Sequence, residues 1–290
     1  MQYAVSIYSF MQYLREGRLT PLSCIARVRE MGFDAIEFVD FVFPGEERPE
    51  EYAAKLREEA DRVGLAISNY AVGADLLQGS GGNLEEEISR LKRQVDIAAI
   101  LGCRTMRHDV TGGPKKRTYQ GFDNYLERMA SGCLAVTEYA AEKGIRTMTE
   151  NHGFFSQDSR RVEKLINAVS SDNFGQLVDI GNFLCADDDP VTAVGRCAPY
   201  AFYVHIKDFI VKSGQGPDPG EGFFLSRGGN FLRGTIIGHG DVPVVQCLRA
   251  LRRTGYDGYV SIEFEGMEDC GQGISVGLAN LKRYVELAAV

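Results

Sequence analysis

Four apolar runs in this chain carry side chains that a buried strand has no use for. "RTMTE" closes on Glu150, "QLVDI" carries Asp179, "YVHIKD" carries His205 and then Lys207, and "YVSIEF" carries Glu263. An unpaired buried carboxylate is costly, and three brought together repel one another unless they are protonated or neutralised by a cation. One divalent metal resolves the conflict. Mostly oxygen donors with one imidazole suit Mn2+, with Mg2+, Co2+ and Zn2+ as alternatives. Such an ion beside a carbonyl or hydroxyl oxygen lowers the cost of removing a neighbouring C–H proton, and a side chain must take that proton. His108, closing the run "RTMRH", is the first candidate base, because its unperturbed pKa is about 6.5.

These residues need a scaffold that gathers strand ends. Eight runs read as strands: 3–9, 34–39, 65–70, 104–110, 145–150, 174–180, 200–208 and 259–264. Amphipathic stretches lie between them, such as "NLEEEISRLKRQVDIAAILG" (83–102), with Asn83 as N-cap and Gly102 as the residue after the last turn. "MGFDAIEF", "VGLAIS", "LGCRTM" and "KGIRTM" repeat one device, a helix end followed by glycine and a strand. The expected fold is α/β, a single-domain (β/α)8 TIM barrel over residues 1–290, with an open doubly wound sheet as the alternative. Barrel sites sit at the C-terminal ends of the strands. Alternation along 200–208 then puts Tyr203, His205 and Lys207 on the inner side, and Val204 and Ile206 against the helices.

Composition narrows the function classes. Forty acidic against 32 basic residues give a net charge of -8, which disfavours nucleic acid and anionic membrane as partners. Seven cysteines without a CxxC pair read as reduced thiols. The N-terminus has neither a basic nor an apolar signal region, and no run approaches the roughly 18 apolar residues of a membrane span, so a cytoplasmic protein is expected.

The order Glu150, Asp179, His205 in "HIKD" and Glu263, with "ENHG", "VDIGN" and "GYDGYVSIEFEG", resembles the xylose-isomerase-like barrel superfamily of sugar isomerases, epimerases and related endonucleases. The resemblance spans nearly the whole chain. It implies that Glu150 and Glu263 are metal ligands that also exchange protons with substrate carbons, and that Asp179 and His205 complete the metal site. Two positions depart from the ketose 3-epimerase pattern: Asn182 stands where a histidine is usual and Val211 where an arginine is usual. These departures, with "RHDV", resemble the catalytic subunit of bacterial C-glycoside deglycosidases, which act on 3-oxo-glucosides. In that branch His108 takes the C2 proton.

The expected activity is metal-dependent isomerisation or epimerisation of a sugar or keto-sugar, with lyase-type deglycosylation of a 3-oxo-glycoside as the alternative. A metal-dependent endonuclease and a non-catalytic sugar-binding subunit share the fold and rank below both. The partner is then a small sugar or glycoside, beside a homo-oligomer or a small accessory subunit. Glu37 and Asn69, closing the second and third strands, are placed to contact sugar hydroxyls or to cap loops. Asn182, Lys207, Arg233 and His239 are further candidates for substrate binding, Lys207 alternatively pairing with a ligand carboxylate. The glycine-rich segment around 211–240 reads as a long loop that closes as a lid, with Phe223, Phe224 and Phe231 over the substrate or against a partner. The run "KKR" (115–117) meets a phosphate or is solvated.

Overall fold

A computed structural model of the chain describes residues 1–45, 47–115 and 120–289. The eight expected strands are present as β1 (Gln2–Ser6), β2 (Ala35–Val39), β3 (Ala66–Val72), β4 (Thr105–His108), β5 (Arg146–Glu150), β6 (Phe174–Asp179), β7 (Ala201–Ile206) and, late in the chain, β11 (Tyr259–Ile262). They form a closed parallel barrel in the order β1-β11-β7-β6-β5-β4-β3-β2. The helices α2 (Pro21–Glu30), α3 (Pro49–Val63), α4 (Leu84–Leu101), α5 (Phe122–Glu142), α6 (Ser159–Val169), α7 (Pro190–Cys197), α8 (Val244–Arg253) and α9 (Cys270–Leu287) each follow a barrel strand, and a short α1 (Met11–Arg15) precedes them.

Local chemistry sets the boundaries. Asn83 accepts from the backbone N–H groups of Glu85 and Glu86, which caps α4, and Gly102 ends it at φ 76°, where a side chain would be strained. Thr20 and Ser23 form a reciprocal capping box ahead of α2. The main core lies between strands and helices and takes in Val204, Ile206, Val178 and Ile262. A smaller cluster of Ala4, Ala35, Met148, Leu177 and Tyr203 plugs the barrel interior. The polar centre described below therefore stands on a packed floor.

Two register shifts aim the site. In the β6–β7 pair Gln176 faces Ala201 but Leu177 faces Tyr203, so Phe202 is an extra residue on β7 and Asp179 ends opposite His205. A β-carbon on Gly175 would lie 2.6 Å from the Phe202 ring, so a side chain there would have to displace that ring. A second shift, between β2 and β3, brings Glu37 level with Asn69.

The glycine-rich segment departs from expectation. The strand expected over 200–208 ends at Ile206, and the chain leaves the barrel as β8 (Asp208–Lys212), which pairs antiparallel with β10 (Phe231–Thr235), itself paired with β9 (Phe224–Leu225). The segment is thus a small sheet with an exposed tip. Asp208 anchors its return by accepting from the N–H groups of Gly238, Gly240 and Val242 at 2.7, 3.0 and 3.1 Å. All seven cysteines are buried and free. No helix among the described residues is long and apolar enough to cross a membrane.

Candidate metal centre

Glu150, Asp179, His205 and Glu263 converge at the C-terminal rim, and one donor atom from each lies within 4.8 Å of the others. Each donor is held from behind. Asp179 Oδ1 accepts from Gly181 N at 2.8 Å and Asn182 N at 2.9 Å, which leaves Oδ2 turned to the centre. That turn needs Gly181, where a β-carbon would come 2.9 Å from the Lys207 carbonyl oxygen. Asn151 ties the neighbouring strand ends by donating to the Asp179 carbonyl at 2.8 Å and accepting from its N–H at 3.0 Å. His205 donates from Nε2 to Glu37 Oε1 at 2.9 Å, so Nδ1 faces inward. Glu37 also accepts from Asn69 at 3.0 Å, and Asn69 accepts from Thr105 at 2.9 Å, a polar belt beneath the centre.

Charge is distributed unevenly. Glu37, Asp109, Glu150, Asp179, Glu263 and Glu265 face Arg107 and Lys207 as the fixed cations of the centre. Arg107 pairs with Glu150 Oε2 at 2.5 Å and Asp109 Oδ1 at 2.7 Å. Lys207 Nζ lies 2.6 Å from Glu263 Oε2, 3.1 Å from Glu265 Oε2 and 3.4 Å from Asp179 Oδ2. Burial pushes the pKa of Glu150 and of Asp179 up, against the pull of Arg107 and His205 on the first and of Lys207 on the second. Burial acts the same way on Glu263, but Lys207 and His205 outweigh it and hold that carboxyl well below the usual range. His205 is desolvated too, yet Glu37 and Glu263 raise it well above an ordinary histidine.

Several expected site residues sit elsewhere. His108 is fully buried on the outer face of β4, its Nδ1 on the Asp109 carbonyl at 2.9 Å and its ring 6.1 Å from Phe174, so the structure does not bring it to the centre as a base. Strand alternation is the reason, since Met106 packs in the outer core and His108 shares its side while Arg107 points inward. Glu37 and Asn69 lie fully buried beneath the centre, where they orient His205 instead of meeting a sugar. Arg233 lies against the Phe223 ring at 5.6 Å on the outlying sheet, and His239 is exposed in the turn that Asp208 anchors, so neither reaches the centre. Asn182 and Lys207 do. Asn182 donates to Glu150 Oε1 at 3.0 Å and accepts from Lys207 at 3.2 Å. Arg107, Asp109, Glu265 and Tyr8, whose hydroxyl donates to Glu265 at 2.8 Å, are members that the sequence did not single out. Of "KKR", Lys116 and Arg117 lie outside the described residues.

The centre opens into a cavity of about 320 Å³ lined by Arg107, Asp109, Glu150, His205, Lys207 and Glu263 among others. A second cavity of about 600 Å³ shares Tyr8, His152, Lys207 and Glu265 with it.

Residues 25–284 match the family described as "Xylose isomerase-like TIM barrel". The chain belongs to that family. Among curated members it is similar to an inosose dehydratase of Lacticaseibacillus casei, 25% identical over 58% of this chain and 58% of the relative. It is also similar to the rhizopine catabolism protein MocC of Rhizobium meliloti, 24% identical over 86% of this chain and 76% of the relative. The chain thus spans little more than half the length of the dehydratase it matches. In fold it is similar to the IOLI protein solved with a bound zinc atom, with a TM-score of 0.77 at 15% identity, 99% of each chain being covered. An L-ribulose 3-epimerase gives 0.72 at 17% identity, over 99% of this chain and 95% of the other.

The donor set fits a divalent ion. Asp179 Oδ2, 3.4 Å from Lys207 Nζ, and His205 Nδ1, 3.6 Å from Glu263 Oε2, are buried without a hydrogen bond, and both belong to the converging four. Buried polar atoms left unpaired are expensive, and ligation is the ordinary remedy. Binding needs the carboxyls ionised and His205 Nδ1 unprotonated, while burial favours protons on Glu150 and Asp179 and the nearby carboxylates favour one on His205. Protons and metal therefore compete. Apparent affinity for Mn2+ is expected to rise about tenfold or more per pH unit between about pH 5 and 7, with proton release on binding. Calorimetry in two buffers of different ionisation enthalpy measures both, and a pH-independent affinity with no proton release would contradict the ligand set.

Proposed function

We propose that this chain is a divalent-metal-dependent enzyme of sugar chemistry that removes a proton from carbon next to the carbonyl of a sugar or keto-sugar, as isomerases and epimerases do. The observation that carries the reading is the set of four converging donors, two of whose buried atoms make no hydrogen bond, with Glu150, His205 and Glu263 lining a cavity. Glu150, Asp179, His205 and Glu263 would hold the ion. When bound, it supplies electrostatic stabilisation of the negative charge that proton removal leaves on oxygen.

The protein's own groups do the rest. Glu150 and Glu263, which line the cavity beside the converging donors, would exchange the proton with the substrate carbon, one accepting it and the other returning one. Arg107 and Asn182 grip the two oxygens of Glu150 and fix its direction. Lys207 lines both cavities, its ammonium held by Glu263, Glu265 and Asn182, and places a fixed positive charge beside the substrate. Returning the proton to the same carbon from the opposite face epimerises the sugar, and returning it to the neighbouring carbon isomerises it. Losing a hydroxide or alkoxide from the β-carbon makes the reaction an elimination. This last outcome is a second reading, supported by the dehydratase named among the relatives. With His108 outside the cavity, either outcome rests on the two glutamates.

Incubating the Mn2+-loaded protein with a panel of keto-sugars in D2O tests the proposal. Deuterium is expected to enter carbon in recovered substrate or product, to stop with EDTA and to resume with Mn2+. Turnover that breaks no C–H bond, such as phosphodiester cleavage, would refute it.

A further inference from the structure

We infer that Arg227, at the tip of the hairpin between β9 and β10, is a positioning residue for the centre: it locks together the two barrel loops that aim Glu150. The inference rests on the metal-centre reading above and adds a remote control of that same site. The tip, residues 226–230, is a preformed turn. Ser226 N donates to the Asn230 carbonyl at 2.8 Å, Asn230 N donates to Ser226 Oγ at 2.9 Å, and Gly229 sits at φ 93°. The turn is docked on the segment after β6, where Asp187 accepts from Ser226 Oγ at 2.7 Å, from Asn230 Nδ2 at 2.9 Å and from Gly228 N. Arg227 extends the docking to a second loop. Its N–H donates to the Cys185 carbonyl at 2.7 Å, while its guanidinium reaches the loop after β5 and donates to Asp158 Oδ2 at 2.8 Å and to the Phe154 carbonyl. One side chain of the outlying sheet thus holds two loops of the barrel.

Those loops lead inward. Phe154 N donates to Gln157 Oε1 at 2.6 Å, and the buried Gln157 donates from Nε2 to the Asn182 carbonyl at 2.8 Å. Asn182 in turn donates to Glu150 Oε1 and accepts from Lys207. The first link in this path is strained: Gly153 and Phe154 are both left-handed, at φ 79° and 62°, which suits glycine but is a true outlier for a bulky aromatic residue. Such a conformation persists only where its surroundings enforce it, and here Gln157 holds the N–H and Arg227 the carbonyl of the same residue. His152, Phe154, Gln157 and Asn182 line the larger cavity, whereas Arg227 stands outside both. It therefore acts through the loops and not on substrate. A guanidinium suits the role because its planar fork serves a carboxylate and a carbonyl at once, where a lysine offers a point charge.

The test is Arg227→Ala in the full, Mn2+-loaded chain, read by amide hydrogen exchange, by metal titration and by deuterium entry into D-fructose, D-tagatose and D-xylulose at saturating concentration. Amide protection is expected to fall about tenfold or more across 153–158 and 182–187 and to stay native in the barrel strands, since local openings are cooperative units. Affinity for Mn2+ should stay within about threefold, because the four donors remain and a partly exposed ion pair contributes little to the fold. The rate of C–H exchange should fall about ten- to a hundredfold, the order that misplacing a reacting group by an ångström costs. Free guanidinium ion, which can enter because the Arg227 side chain is 34% exposed, should restore most of that rate. Guanidinium weakens folds in general, so the recovery reads positioning and not stability. Native-like protection of both loops, or C–H exchange within about threefold of the native rate, overturns the inference. A rate loss matched by loss of bound metal, or left unrelieved by guanidinium, overturns it as well. A native protein that binds Mn2+ yet exchanges no C–H proton of any probe counts against the proposed function, and loop protection alone then decides the inference.

Discussion

Asp179→Ala is expected to abolish stoichiometric binding of Mn2+ while the barrel remains folded. Asp179 turns one buried oxygen, which makes no hydrogen bond, to the centre and uses its other oxygen to pin the turn at Gly181 and Asn182. Its removal takes away one of four donors and lets the turn that carries Asn182 relax, so Glu150 loses part of its support as well. Two backbone hydrogen bonds disappear, each worth about 1 kcal/mol net, but a buried carboxylate that repels Glu263 goes with them. The two effects oppose each other, and rim residues contribute less to stability than the packed floor does. Metal analysis after dialysis, alongside a thermal melt, reads the two quantities separately. Full metal occupancy in the variant would remove Asp179 from the ligand set, and a collapse of the melt would show that it serves the fold instead.

The second large effect is expected at the glutamates. Glu150→Gln and Glu263→Gln keep size and hydrogen-bonding capacity yet cannot accept a proton, so each should lower the rate of deuterium exchange into substrate by about two to four orders of magnitude. Metal retention must be measured for both, since each also supplies a donor; a rate loss that exceeds the loss of bound metal isolates the proton-transfer role. His108→Ala supplies the contrast. Its side chain packs against Phe174 in the outer layer, so the variant should lose about 2 to 4 kcal/mol of stability, the usual range for truncating a large buried side chain, while exchange per folded, metal-loaded molecule stays within about threefold. Exchange that vanishes with His108→Ala and survives both glutamine variants would restore the histidine as the base and refute the geometry argued above.

Much of this architecture could be read along one dimension. Apolar runs of strand length alternating with amphipathic helices are local patterns, so the eight barrel strands and the cap and stop of α4 at Asn83 and Gly102 emerge from neighbouring residues alone. The four donors were legible for a related reason: a carboxylate or imidazole at the end of an otherwise buried strand is an energetic anomaly wherever the strand goes. Arg107 escaped notice because its interest depends on which face of β4 turns inward, and a run of four residues sets that phase weakly. The glycine-rich stretch misled in the opposite sense. Glycines at turns and a polar tip hid strands β9 and β10, of which β10 pairs with β8, more than ten residues earlier in the chain, and β9 with β10.

The sequence by itself thus determined the fold class and the chemistry at the ends of four strands, because periodicity and burial cost are properties of short segments. Tertiary structure alone decided how those groups are oriented. Glu37 orients His205 across 168 residues of chain, and the bulge at Phe202 sets Asp179 opposite the same histidine. The closed barrel also turned Arg107 inward and His108 outward. Contacts of that kind depend on cross-strand register, and register is fixed only when all eight strands close on one another and the packed floor of Met148, Leu177 and Tyr203 admits a single phase for each.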